Sequence, residues 1–484
     1  MTKNNINSNT VFNTFKSVFS LLYPLITFPY ISRVLLTDNV GKINFGHSVV
    51  SYISLIASLG VSTYAIRECS KVKTNKEELS KTASQILSIN MMSTLLAYSV
   101  LAIVLIFAKP LKNYRLLICI QSTTILFSTL GADWLNTAME DFRFIAVRTV
   151  MVQFLSFALM ILFVRKPEDY LIYALISVVS SSGANIANIL YRRKYCRTKF
   201  TWDMDIKRHL PRIFLLFSLI LSQTIYVNSD MTILGLIKGD HEVGLYSTSV
   251  KIYNMVNTTI ASITWVVMPK LSYYFSRRDF KEINKLLKYA LNFIVVLGIP
   301  SICGLEIIAP QLIETIAGKA YVDAALSLRL LGFAMLCSFF GGWIGNMTRL
   351  PAGQEAISLR ITTISALINI SLNLFLIPRW GLNAAAFTTA VSELFGLIGG
   401  FILLDRSIKI DGLEQVFAGP IIGGMGILAI GYIVKKTVAK AWAISIVTIV
   451  VSVIWYLVVM IISKNEFFMG FINPIVRKMR GIKI

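Results

Sequence analysis

About fourteen apolar segments, each long enough to cross a bilayer, follow one another along this 484-residue chain, and no connection between them is long enough to be a folded domain. Because hydrocarbon offers no partner for a bare backbone N–H or C=O, spanning segments of this length must be helices that satisfy their own hydrogen bonds. Hydrophobic residues make up 55% of the positions and charged residues 15%, and the mean hydropathy is +0.67. Soluble multidomain architectures are excluded on that ground. A chain given over to spanning helices, with a few ionisable residues inside them, has movement of a solute across the membrane as its leading reading.

The apolar runs lie at roughly 11–32, 43–66, 84–108, 114–138, 145–164, 170–191, 213–236, 244–268, 287–308, 325–348, 357–377, 382–404, 416–434 and 441–462. An even number of spans places both termini on one side. Lys and Arg concentrate on that side, above all in 192–212 (RRKYCRTKFTWDMDIKRHLPR) and 269–288 (PKLSYYFSRRDFKEINKLLK), so the termini are expected in the cytoplasm. The amino-terminal helix follows MTKNNINSN without a small-residue cleavage site and is expected to be retained. The basic stretch near 200 suggests two six-helix lobes, 1–200 and 201–410, followed by a pair of helices and a basic tail in 411–484. VGKINFGHSVVSY, which opens the second span, has a loose counterpart in VGLYSTSVKIYNM, which opens the eighth. A parallel repeat of that kind places a solute path between lobes.

The net charge of +22 sits in loops and tails between apolar segments, which suits lipid headgroups better than nucleic acid. Five scattered cysteines and three histidines form neither a disulfide framework nor a metal-ligand cluster. Nucleotide-binding and hydrolase signatures are missing, so no cofactor is expected, although coupling to H⁺ or Na⁺ stays open.

Ionisable residues inside spans need a partner, an interface or a polar cavity. Asp230 and Lys251 fall at about 9 and 12 Å of depth from the outer side, near enough in depth to pair. His47 lies about as deep as Asp230, Glu393 lies near mid-membrane, and Arg33 and Arg329 lie near the outer ends of their helices. One reading has Arg33, His47, Lys251 and Arg329 drawing an anionic group into a cavity while Asp230 or Glu393 titrates. The other has structural pairs and snorkelling ends. A second group, DWLNTAMEDFRFIAVR (133–148), joins the fourth and fifth spans on the inner side. Asp133, Glu140, Asp141 and Arg148 there are candidates for a cytoplasmic gate, against the plainer reading of a tight turn with Trp134 as an interfacial anchor.

FPYISRVL (28–35) with VGKINFGHSVVSYISLIASLGVSTYAIRECSK (40–71) resembles the opening of bacterial polysaccharide repeat-unit flippases. DWLNTAMEDFRFIAVR, NSDMTILGLIKGDHEVGLYSTSVKIYN (228–254) and GLNAAAFTTAVSEL (381–394) are similar to later stretches of that family, in its order and spacing. The chain departs from it at Asn136 and Thr137, where Gln-Gly is common, and at Thr37 and Asp38. The resemblance implies an all-α, MATE-like fold of two six-helix bundles around a cavity, in the multidrug and oligosaccharidyl-lipid exporter superfamily. It implies an undecaprenyl-pyrophosphate-linked oligosaccharide as substrate and a polymerase and chain-length regulator as partners. A cation-coupled drug exporter and a lipid II flippase share that fold and stay open, as does, more remotely, a membrane polymerase or ligase. Against the last, the outward connection at 309–324 is short and barely charged.

Overall fold

The computed structural model describes residues 3–405 and 407–470. Among them the regular structure is helical: α1 (Lys3–Ser58), α2 (Val61–Lys71), α3 (Lys76–Phe107), α4 (Arg115–Gly131), α5 (Asp133–Ala138), α6 (Phe142–Phe163), α7 (Tyr170–Tyr191), α8 (Ile206–Ile237), α9 (Asp240–Ala261), α10 (Ile263–Arg277), α11 (Phe280–Ala317), α12 (Ala325–Ile344), α13 (Glu355–Ile402), α14 (Leu413–Thr437) and α15 (Ala441–Ile462). The basic tail expected at the carboxy terminus lies outside the described residues, apart from its first part.

Nine helical stretches among the described residues are long and apolar enough to cross a membrane. Two of them hold two spans each. α1 breaks at Leu36 (φ 61°, ψ 178°), so that the first two spans meet at a single left-handed residue, and α13 breaks likewise at Gly381 (φ 55°, ψ −133°). Glycine adopts that geometry freely, whereas Leu36 holds it against its Cβ. α4 is a helix of 17 residues, while α8 and α9 carry polar side chains through their middles, among them Asp230 and buried Ser247, Thr248 and Ser249. With those three helices the fourteen segments of the sequence are all accounted for. Some are shorter than expected: the fourth ends at the left-handed Ala132 (φ 45°), and the second ends at Ser58, before Leu59 and Gly60, both of positive φ.

Compactness divides the chain after Gly244, inside α9. α8 goes with the helices before it because it packs along α1 and α2. In the second unit α14 and α15 pack on α11. Glycines on α14 permit this: a Cβ at Gly431 would stand 2.5 Å from Ile307, and one at Gly423 would stand 2.5 Å from the Tyr456 ring. Helices in lipid gain no hydrophobic drive from pairing with each other, so close backbone approach and polar ties hold them. Tyr456 supplies such a tie by donating to the Val296 carbonyl at 2.7 Å, and Asn465 donates to Asn292 at 3.0 Å.

Candidate functional site

Within the first unit, α1, α3, α4, α6 and α7 enclose a cavity of about 330 Å³. Its wall is mostly hydroxyl and amide, from Ser54, Ser58, Asn90, Ser128, Thr129, Thr149, Ser180, Ser181 and Asn185, with Lys16 and the Asp133–Arg148 pair. The helix end at Ser58 leaves the Ala57 carbonyl without a helical partner, and α3 supplies two, Asn90 Nδ2 at 2.8 Å and Ser93 Oγ at 2.6 Å. Thr94 and Thr129 meet at 2.7 Å between α3 and α4. These ties keep polar groups turned inward in a bundle whose outer face is apolar.

The break at Ala132 turns the chain so that Asp133, the first residue of α5, faces Arg148 of α6. Asp133 Oδ1 accepts from the Arg148 guanidinium, from Asn188 Nδ2 at 3.2 Å and from Asn136 Nδ2 at 3.3 Å. Arg148 also donates to the Ala184 carbonyl of α7 at 2.9 Å. Arg148 is 7% exposed and Asp133 is 40% exposed, so the carboxylate is the member of the pair that reaches solvent.

The other residues of the 133–148 group do not join this pair in one network. Glu140 accepts from Lys73 Nζ at 2.8 Å. Asp141 accepts from the hydroxyls of Tyr191 at 2.7 Å and Tyr195 at 2.5 Å and caps α6 at the Phe144 amide, 3.2 Å away. Burial alone would raise the Asp141 pKa, but these donors and Lys194 together hold it below the usual carboxylate value. The turn is thus fastened at three separate points, to α6 and α7, to the segment after α2, and to the chain after α7. Trp134, an interfacial anchor in the plainer of the two sequence readings, is 4% exposed and lines the cavity.

The residues expected along the solute path divide between the units. In the first, Arg33 is exposed and donates to the Pro29 carbonyl at 2.7 Å, His47 is exposed, and Asp230 is buried within electrostatic reach of Tyr52. Beside Asp230 on α8, the Thr232 hydroxyl lies 3.0 Å from that of Ser48 and 3.3 Å from that of Tyr52. In the second unit Lys251 is half-buried on α9. Glu393 is half-buried on α13, within electrostatic reach of Tyr253 and Cys337. Arg329, for which a snorkelling helix end is the alternative to a path role, donates to the Glu306 carbonyl at 3.0 Å, with the Glu306 carboxylate 3.7 Å away.

Two features escaped the reading of the residues. The first is a contact between the two Val-Gly steps of the internal repeat. A Cβ on Gly41 would stand 1.8 Å from the Asp240 carbonyl oxygen, and one on Gly244 would stand 2.1 Å from that of Thr37. Around this backbone crossing the Phe45 ring seats on Gly235, Tyr114 donates to Asp240 at 2.6 Å, and His241 pairs with Asp38 at 2.8 Å. The repeat was legible, but nothing in it announced that its two copies touch.

The second is buried His209, just ahead of the seventh span. Its Nδ1 lies 2.7 Å from the Tyr64 hydroxyl and its Nε2 lies 3.3 Å from Gln85 Oε1, so a neutral ring with its proton on Nε2 satisfies both contacts. Burial first, and Arg208 next, lower the His209 pKa below the ordinary 6.5. A depressed histidine binds fewer protons folded than unfolded, so stability is fully present above about 6.5 and falls as the pH drops toward the folded value. The melting temperature of the purified protein is therefore expected to decline between pH 7 and 5, with a shallower slope in His209→Asn. Equal slopes in the two proteins would remove His209 as the cause.

Closely packed spanning helices, kinked pairs and an internal polar cavity define a multi-pass, all-helical membrane fold. The match to solved structures bears this out: the fold superposes on "Lipid II flippase MurJ, inward closed conformation" with a TM-score of 0.74 at 16% identity, over 96% of this chain and 100% of that one. It also superposes on an inward-facing multidrug resistance MATE family transporter of the MOP superfamily, with a TM-score of 0.59 at 15% identity, over 79% and 92% of the two chains. The all-α, MATE-like fold expected from the sequence is thus present.

Residues 6–275 match the family model described as "Polysaccharide biosynthesis protein", and the chain belongs to that family. Among its relatives is the "Putative O-antigen transporter" of Shigella dysenteriae, 22% identical over 78% of this chain and 95% of that protein. Another is the "Capsular polysaccharide biosynthesis protein CapF" of Staphylococcus aureus, 23% identical over 81% and 97%.

Proposed function

We propose that this protein is a flippase, not an enzyme, that carries an undecaprenyl-pyrophosphate-linked oligosaccharide repeat unit from the inner to the outer leaflet of a bacterial plasma membrane, with both its termini in the cytoplasm. The observation that carries the reading is the hydroxyl- and amide-walled cavity, with its Asp133–Arg148 pair, inside an otherwise apolar bundle. Each polar group of a glycan stranded in hydrocarbon costs several kcal/mol, so an unassisted crossing is negligibly slow. Ser, Thr and Asn side chains both donate and accept, which is what sugar hydroxyls require, and the lipid tail stays in the bilayer throughout. Family membership, relatives named for O-antigen transport and capsule biosynthesis, and the lipid II flippase fold support the same substrate class.

Outward movement of an anionic headgroup runs with an inside-negative potential, which is worth about 2.3 kcal/mol per charge per 100 mV. Exchange for H⁺ or Na⁺ at Asp230 or Glu393 is the alternative drive. Neutralising Asp230, Lys251 and Glu393 together is expected to lower glycan export at least tenfold, whereas Arg143→Gln, at an exposed position, leaves it unchanged. Full export by the triple variant would eliminate all three from the path. A polymerase and a chain-length regulator that take up the delivered units complete the proposal.

The direct test uses a strain lacking the gene and a membrane-impermeant, sugar-modifying reagent. Lipid-linked repeat units protected on the inner leaflet, and exposed once the gene is restored, are expected. Labelled but unpolymerised units outside would point to a polymerase or ligase. Accumulated lipid II would point to the cell-wall flippase, and no accumulation to a drug exporter.

A further inference from the structure

Ser80, Ser84 and Ser88 recur every fourth residue on one face of α3, and their hydroxyls hold alternate residues of the chain between α7 and α8. Ser80 donates to the Arg197 carbonyl, Ser84 accepts from the Lys199 amide at 3.1 Å, and Ser88 accepts from the Thr201 amide at 2.8 Å. The match is metrical: four helical residues advance about 6 Å and two extended residues about 6.6 Å. Residues 197–201 are thereby laid along α3 as an extended strap, and Cys196 and Met204 pin its ends in a buried cluster with Leu79, Ile86 and Ile213.

Strap and helix enclose a groove of about 780 Å³ lined by Lys76, Lys81, Arg193, Lys194, Arg197 and Lys199. Glu77 and Asp203 are the carboxylates in its wall. Of the six cations, Lys194 alone has a carboxylate partner among the described residues, Asp141 at 3.5 Å. The same strap exposes two aromatic side chains, Phe200 at 43% and Trp202 at 79%, packed edge to face 5.0 Å apart. The apolar span of α3 opens near Ser84, so the groove occupies the ~12 Å just outside the hydrocarbon, which takes in the headgroup layer of about 5–8 Å and the adjoining water.

We propose that this groove binds the headgroup of an anionic phospholipid of the surrounding bilayer, with Phe200 and Trp202 set at the boundary between headgroups and acyl chains. Unpaired cations at a membrane surface attract anionic lipid, and the Trp202 indole, apolar in its body with a polar N–H, settles at that boundary with Phe200 packed against it. The groove shares no lining residue with the hydroxyl-walled cavity, which separates it from the path proposed for the glycan headgroup. The proposal therefore stands whatever the transported solute is.

Native mass spectrometry of the full chain tests it, with phosphatidylglycerol and phosphatidylcholine of identical acyl chains as probes. The wild type is expected to retain phosphatidylglycerol at least tenfold more tightly, and the preference is expected to vanish in Arg193→Gln/Arg197→Gln/Lys199→Gln. Ser84→Ala/Ser88→Ala leaves every charge in place but frees the strap, and is expected to weaken the preference severalfold. Brominated phosphatidylglycerol is expected to quench less of the tryptophan emission in Trp202→Tyr than in the wild type. A triple variant that keeps wild-type selectivity would overturn the proposal. So would retention of undecaprenyl pyrophosphate with no selectivity for phosphatidylglycerol, or displacement of the lipid by millimolar inorganic phosphate.

Discussion

Replacing Gly41 with valine is expected to abolish glycan export and to separate α1 from the start of α9, because its Cβ has nowhere to go. The atom would lie 1.8 Å from the Asp240 carbonyl oxygen and 2.6 Å from its carbon, well inside van der Waals contact, and the obstacle is backbone on a packed helix, not the end of a mobile side chain. Gly244 faces the same limit against Thr37, so Gly244→Val is expected to act in the same way. Asp38 and His241, 2.8 Å apart across this contact, provide the readout. In Asp38→Cys/His241→Cys a disulfide is expected to form readily on mild oxidation, and adding Gly41→Val is expected to slow it by more than tenfold. Gly304→Ala serves as the control: nothing lies within 4 Å of its Cβ, and the greater helix propensity of alanine favours it by up to about 1 kcal/mol. Unchanged cross-linking in the presence of Gly41→Val would show that the crossing tolerates a side chain and is no point of control.

The second large effect is asymmetric. Asp133→Ala leaves Arg148, 7% exposed, with the Ala184 carbonyl as its remaining hydrogen-bond acceptor among the described residues, a nearly buried charge without a counter-ion. Removing one member of a fully buried pair costs about 3–5 kcal/mol; with Asp133 40% exposed and solvent screening the pair, about 2–3 kcal/mol is expected here. Arg148→Ala is milder, about 1–2 kcal/mol, because Asp133 keeps the amides of Asn136 and Asn188 and can reach water in the cavity. Asp133→Asn/Arg148→Gln is expected to be more stable than Asp133→Asn alone, since it removes the stranded charge. Thermal unfolding in detergent measures the order. Equal losses from the two alanine variants, additive in the double variant, would mean that the pair does not hold α5 against α6 and α7. Export is expected to fall in both, because each variant changes the wall of the cavity.

Much of this architecture lies in one-dimensional pattern. Apolar length and the charges between the runs are properties of consecutive residues, so fourteen apolar segments and an all-helical fold follow without knowledge of any contact. The tight break between spans eleven and twelve is legible at Gly381, but that at Leu36 is not, since leucine is no turn signal. Asp133 and Arg148 stand fifteen residues apart in one loop-and-helix segment, and their relation could be suspected from proximity alone.

What lies between distant segments depended on packing. That Val40-Gly41 and Val243-Gly244 cross backbone to backbone, that His209 is held between Tyr64 and Gln85, and that three serines of α3 carry a strap 113 to 117 residues away are facts of the tertiary structure. Trp134 and Glu140 show the limit in the other direction: one reading of the sequence has the first as an interfacial anchor and the other places the second in a cytoplasmic gate with its neighbours, whereas the fold buries the first and pairs the second with Lys73. The physical reason is common to all of them. Hydropathy along a chain reports how each residue partitions between water and lipid, but inside a bundle of helices nearly every position is apolar. Small differences in side-chain size and hydrogen-bonding reach then decide which faces meet, and those depend on residues far away in sequence.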